Sequence, residues 1–171
     1  MIYLKTDEEV ELMRQSNDLL GRTLAEVAKV IRPGVTTAQL DKVAYEFICD
    51  HGGIPSCLGY EGYPATLCTS VNEQVVHGIP SDKVILKDGD IVSVDTVVKL
   101  GGFCADSAYT FPVGEVAPEV LQLMRTTKQA LYLGIEQAVT GRRLGDIGAT
   151  IQQHCEKAGY SVVREFVGHG I

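Results

Sequence analysis

Asp95 and Asp106 lie in IVSVDTVVKLGGFCADSAYTF, two β-rich runs joined by Gly101-Gly102. A Gly-Gly between such runs signals a hairpin, because both central residues of a type I′ turn need positive φ. With Gly101-Gly102 as the turn, Leu100 faces Phe103 and Asp95 faces Ala108. Asp106 then falls two positions along, on the same face as Asp95. A turn at Leu100-Gly101 instead sets the two aspartates directly opposite. Either even register puts both carboxylates on one face, where they repel unless a cation or a proton lies between them. Half of a metal site is the leading reading. Two solvated aspartates on an exposed face is the alternative that the hairpin leaves open.

Two histidines could join such chemistry. His169 sits in VVREFVGHGI, where flanking glycines let the backbone approach closely and aim an imidazole that could ligate a metal. His77, in VVHGIP, occupies a strand-to-loop junction from which it could donate to a substrate. Taken singly, each is more often an ordinary loop histidine. His51 and His154 fall near helix ends and read as structural. The segment CLGYEGYP and the residues after it bring Cys57, Tyr60, Tyr63 and Cys68 together. Polarizable sulfur and aromatic walls suit a small apolar pocket for a thioether, although packing beneath a loop would use the same residues. No GxSxG, P-loop or dinucleotide motif is present.

The elements that must position these groups follow from capping and periodicity. Thr6 with Glu9 and Thr36 with Gln39 form capping boxes for two helices. The first carries an apolar stripe of Val10, Met13, Leu20, Leu24, Val27 and Ile31, closed by Arg32-Pro33-Gly34. The second carries Leu40, Val43, Ala44, Phe47 and Ile48 and stops at Gly52-Gly53. A strand around residues 66–71 precedes the His77 loop and the aspartate hairpin. After Gly114 the order begins again. Pro118 opens a long helix with Leu121, Met124, Leu131, Ile135 and Ala138 inward, and Gly141 breaks it. A shorter helix with Ile147, Ile151, Cys155 and Ala158 then ends at Gly159, and a strand is expected from about residue 161. Gly34 and Gly52 are 18 residues apart, as are Gly141 and Gly159, and an offset of 107 superposes the halves. A duplication of that period runs to about residue 214, so the chain reads as the N-terminal part of a longer one.

Composition agrees with one ordinary soluble domain. There are 171 residues, 45% hydrophobic and 22% charged. A net charge of −7 and a pI near 5.0 argue against a nucleic-acid or membrane-surface partner. Five widely spaced cysteines with no CxxC pair read as reduced thiols of a cytoplasmic protein. The N-terminus lacks the layout of a signal peptide, and no apolar run is long enough to span a membrane.

RPGVTT, CLGYEGYP, SVNEQVVHGIP, LKDGDIVSVD, GGFCADSAYTF and SVVREFVGHGI, in that order, resemble the bacterial, type I methionine aminopeptidases almost from end to end. The resemblance implies an α/β (α+β) pita-bread fold, a pseudo-twofold duplication with antiparallel sheet. Residues 1–171 would be one catalytic domain, with a first repeat of about 1–113 and a partial second repeat of about 114–171. It implies a site for two divalent ions (Mn, Fe, Co or Zn). Asp95 would chelate one, Asp106 would bridge both, and His169 would ligate through its imidazole, a mixed donor set that suits such metals. His77 would contact substrate at the scissile amide. Cys57, Tyr60, Tyr63 and Cys68 would line the pocket for the initiator methionine. A metal-bound hydroxide attacks the first peptide bond in such enzymes. The implied partners are peptides with N-terminal methionine, nascent chains and the ribosome that carries them, acted on by a protein that is a monomer when complete. Two glutamate ligands and a further histidine follow GHGI in that family, so this 171-residue form alone is expected to be inactive or nearly so. Ser93 and Val97 stand where relatives often carry more polar residues. The rival readings are a non-catalytic binding module on the same scaffold and an aminopeptidase for another first residue, such as proline.

Overall fold

The computed structural model describes residues 3–171 and divides into two compact units, one reaching to Val116 and the other spanning Ala117–Gly170. In the first unit, helix α1 runs Asp7–Ala28 and helix α2 runs Thr37–Asp50, both opened by the expected capping boxes. Thr6 Oγ1 accepts from the Glu9 amide at 3.2 Å, and Glu9 Oε2 accepts from the Thr6 amide at 2.9 Å. α1 stops at Ala28, one turn before Arg32-Pro33-Gly34. The chain leaves through a turn in which Gly34, at φ 91°, donates to Leu86 O at 2.8 Å. His51 closes α2, its ring Nδ1 lying 2.8 Å from Phe47 O.

Four strands make one antiparallel sheet: β1 (Ile54–Pro55), β2 (Cys68–Val71), β3 (Ile91–Leu100) and β4 (Phe103–Pro112). β4 pairs with β3 along its whole length, so β1 and β2 share the other edge of β3, at residues 98–99 and 92–95. Burial alternates along β3 as a half-covered strand requires. Val92, Val94, Thr96 and Val98 are fully buried on the helix side, and Asp95 and Val97 face the other way. The core joins Leu24, Val27, Leu40 and Ala44 from the helices to Leu67, Val92 and Val94 from the sheet side. A second cluster joins Leu19, Leu20 and Ile48 to Val98 and Ala105. Burying such side chains stabilises by about 1.5–3 kcal/mol each, which makes this face, not the aspartate face, the source of stability.

The second unit holds helix α3 (Pro118–Ile135) and helix α4 (Leu144–Lys157). Adding the offset of 107 to the bounds of α2 gives those of α4, and adding it to the end of α1 gives the end of α3. Gly34, Gly52, Gly141 and Gly159 all have positive φ. Two expectations need correction. The buried residues of α3 are Thr126, Ala130 and Gly134, while Leu131 and Ile135 are 55% exposed. A Cβ on Gly134 would lie 2.8 Å from Ile151 Cδ1, so the helices approach too closely there for large side chains. Residues 161–171 form no strand, since a strand exists only where its backbone finds a partner. Among the described residues no helix is long and apolar enough to cross a membrane.

Candidate metal and substrate site

The hairpin adopts the first of the two registers. Leu100 pairs with Phe103, and Gly101 and Gly102 take φ of 58° and 90°, as a type I′ turn demands. Asp95 pairs with Ala108 and Asp106 with Val97, so the carboxylates are diagonal neighbours on one face. Cα atoms in that relation are about 7–8 Å apart, within reach of one shared cation. Both residues are half-buried. Beside them Ser93 Oγ and Thr110 Oγ1, facing each other across the same pair of strands, are 2.8 Å apart.

On the other edge of β3, Cys68 stands directly opposite Asp95. Cys57 follows β1, and its Sγ accepts the Val97 amide at 3.3 Å. Tyr63 Oη lies 3.0 Å from Leu67 O and 3.3 Å from Gly78 O, so its one proton is shared between two carbonyls. Burial pushes the Cys68 thiol above its ordinary value. The Tyr63 hydroxyl pulls it back, and the charges of Asp95, Asp106 and Asp41 push it up again. Burial also raises Cys57, partly opposed by the Val97 amide, with Cys68 and Asp95 adding to the rise. The Tyr63 hydroxyl is held up by burial first and by Cys68 second. Both shifts favour the protonated thiol near neutral pH. That Cys68 feels both hairpin aspartates places it in their negative field.

The remaining candidates lie outside the strands that carry the aspartates. His77 is exposed and takes φ 59°, a left-handed conformation uncommon for a side-chain-bearing residue. It is held there by Gly78, whose carbonyl accepts the Thr69 amide at 2.7 Å and whose amide donates to Ser70 Oγ at 3.1 Å. This fastens the loop to β2, one strand away from Asp95. Tyr60 lies in a short 3₁₀ turn and is 69% exposed. His169 belongs to the second unit, exposed on the non-helical segment after α4, with Nδ1 3.1 Å from Gly170 O. Among the described residues no three His, Cys, Asp or Glu side chains form a cage for a metal. The donor chemistry of the aspartate face nonetheless fits a divalent cation. Two carboxylates share a face with neutral thiols, and the side-chain charges that act on Cys68 include both of them. A separate cleft is lined by Arg14, Asp18, Arg22 and His51.

Sequence reading passed over Asp41 and Thr96. Asp41 Oδ1 accepts the amides of Thr66 and Leu67 at 2.9 and 2.7 Å, and Thr96 Oγ1 donates to Thr66 O at 2.8 Å. Nothing local marks either residue, because each partner lies 25 or more positions away in the chain.

The model of metallopeptidase family M24 matches residues 11–171. A methionine aminopeptidase of Clostridium acetobutylicum is 49% identical over all of this chain and 68% of its own length. Methionine aminopeptidase 1 of Bacillus subtilis is 45% identical with the same coverage. The crystal structure of methionine aminopeptidase from Rickettsia prowazekii superposes with a TM-score of 0.98 at 43% identity, covering 100% of this chain and 68% of that one. A Xaa-Pro dipeptidase from Bacillus anthracis, at 20% identity and a TM-score of 0.78, shares the fold alone. The chain belongs to metallopeptidase family M24, has that family's pita-bread fold, and is of the bacterial, type I methionine aminopeptidase kind.

Proposed function

We propose that this protein is a cytoplasmic methionine aminopeptidase that removes the initiator methionine from nascent chains. One observation carries the reading. The hairpin register sets Asp95 and Asp106 on a common face beside Cys68, Cys57 and Tyr63, in a chain 49% identical over its full length to a methionine aminopeptidase. Asp95, Asp106 and His169 would hold divalent metal, drawn from Mn, Fe, Co or Zn. When bound, it supplies Lewis acidity and an activated water near neutral pH. Asp95 and Asp106 contribute charge that draws in the cation and the substrate's amino terminus. The neutral thiols of Cys57 and Cys68 and the ring of Tyr63 accept the thioether side chain and exclude water from it. Tyr60 would close that pocket from its exposed turn. His77, fixed by its neighbour Gly78, would hold a proton near the scissile amide. The two units would be the first repeat, about 1–113, and the second, about 114–171, of one catalytic domain. Three ligands are too few for a tight two-metal site, so the 171-residue polypeptide by itself would release methionine slowly or not at all.

The test compares the protein purified from the cells that make it with the 171-residue polypeptide, on Met-Ala-Ser, Pro-Ala-Ser and Leu-Ala-Ser with Mn or Co present. The native protein should release methionine and little else. Equal or faster release of proline or leucine, or no release at all, sinks the assignment. Turnover by the 171-residue polypeptide at an ordinary enzyme rate of about 10 s⁻¹ sinks the claim that its ligand set is insufficient.

A further inference from the structure

We propose that Asp41 is a positioning residue that latches the segment between Tyr63 and Cys68 and so shapes the first-residue pocket. The inference rests on the pocket reading above for its purpose, though its geometry stands independently. Asp41 lies in the first half of α2, on an element that supplies none of the candidate ligands or pocket walls. Its Oδ1 accepts two consecutive backbone amides, Thr66 at 2.9 Å and Leu67 at 2.7 Å. The carbonyls of the same two residues are also taken, Thr66 O by Thr96 Oγ1 at 2.8 Å and Leu67 O by Tyr63 Oη at 3.0 Å. All four polar groups of this two-residue segment are thus tied by three side chains from three parts of the fold. Immediately beyond it, Cys68 enters β2 opposite Asp95.

A carboxylate suits this task because a charged acceptor makes shorter and stronger bonds to amides than a neutral one. The position is half-buried, and burial raises the carboxyl above its ordinary value more than the two amides lower it. A group held against that cost needs a return. Here the return is the placement of Tyr63 and Cys68, since the latch acts on the strand entrance and not on the helix that carries it. Without it, Thr66 and Leu67 keep only the bonds to their carbonyls, from Thr96 and Tyr63. The pocket wall can then shift along β3.

The test is timed alkylation of the cysteines, read peptide by peptide by mass spectrometry in the native protein. Cys49 is exposed and serves as the fast reference, while Cys104 in the first unit and Cys155 in the second report general loosening. D41A should speed modification of Cys68 at least tenfold and leave Cys104 and Cys155 unchanged. D41N keeps an oxygen able to accept both amides, though as a weaker neutral acceptor, and should speed Cys68 modification by clearly less than D41A does. Wild-type protection of Cys68 in D41A overturns the proposal, as does acceleration of Cys68, Cys104 and Cys155 together, which would make Asp41 a general stabiliser. D41N as loose as D41A also overturns it. A second arm adds L-methionine amide or L-alanine amide. Selective protection of Cys57 and Cys68 by the methionine compound in the wild type and D41N, lost in a folded D41A, supports the pocket-shaping role. Equal protection by both compounds in the wild type refutes the methionine pocket while leaving the latch to be judged by the first arm.

Discussion

Replacing Gly78 by alanine should damage the first unit, whereas the same change at Gly21 should strengthen it. A Cβ on Gly78 would stand 2.8 Å from the Thr69 carbonyl carbon, closer still to its oxygen, and 2.9 Å from Gln74 Oε1. Ordinary contact needs at least about 3.4 Å between such atoms, so the loop must retreat from β2 by roughly an ångström. The Thr69 amide bond to Gly78 O at 2.7 Å and the Gly78 amide bond to Ser70 Oγ at 3.1 Å cannot both survive that movement. Each is worth about 0.5–1.5 kcal/mol, and strain from overpacking costs about 1–3 kcal/mol. Relief of strain is what breaks the bonds, so the two costs overlap. A net loss of about 2–3 kcal/mol is expected. Gly21 lies exposed within α1 with nothing within 4 Å of an added Cβ. Alanine there should stabilise by about 0.5–1 kcal/mol.

Urea unfolding followed by circular dichroism measures both variants against one transition, since both residues lie in the first unit. Hydrogen exchange of the peptide spanning residues 68–78 locates the damage. Gly78→Ala should lower the midpoint and deprotect that peptide, and Gly21→Ala should raise the midpoint. If Gly78→Ala shifts stability by less than about 0.5 kcal/mol, below the cost of even one amide bond, then Gly78 does not hold His77 in place.

Three further outcomes follow from the same geometry. Mn or Co at ten times its dissociation constant should stabilise the first unit by about 1.4 kcal/mol in thermal unfolding, and D95N/D106N should abolish the shift; an undiminished shift in the double variant would place the cation elsewhere. Burial and the neighbouring carboxylates raise the thiols of Cys57 and Cys68, so the folded state keeps protons that the unfolded chain gives up. Their stabilising contribution is whole below the ordinary thiol value of 9.0 and is lost as pH rises through their folded values. The urea midpoint should therefore fall from about pH 8 to about pH 10, across the range where thiols ionise, and fall less in C57S/C68S. Thr96→Val preserves shape but strips Thr66 O of its 2.8 Å donor in a fully buried setting. Urea unfolding should show a loss of about 1–2 kcal/mol.

What could be read from the sequence was what depends on near neighbours. The capping boxes at Thr6–Glu9 and Thr36–Gln39 close within four residues, and so does the Gly101-Gly102 turn. Once that turn is set, strand alternation carries Asp95 and Asp106 to one face without further information. Alternation also accounts for the helix-facing side of β3, where Val92, Val94 and Val98 recur at even spacing. The helix-terminating Gly34, Gly52, Gly141 and Gly159, all at positive φ, were readable for a similar reason, since few other residues tolerate that conformation.

Long-range partners left no such trace. The large side chains of α3 predict its inner face, yet its buried residues are Thr126, Ala130 and Gly134, and α4 comes within 2.8 Å of a Cβ placed on Gly134. Hydropathy rewards size, whereas close packing there rewards its absence. The run from residue 161 has strand-like composition, but composition supplies only half of a strand and the pairing edge must supply the rest. Asp41 illustrates the same limit from the polar side. Its place among helix-forming residues looks like an ordinary solvated position, and its role depends on two amides 25 and 26 residues away. Residues that perform chemistry can be recognised by type and spacing, because the chemistry restricts both. Residues that merely hold those groups in place are recognised only through the backbone they touch. For that reason Asp95 and Asp106, the proposed ligands, stood out in the chain while Asp41, whose carboxylate accepts the amides of Thr66 and Leu67, did not.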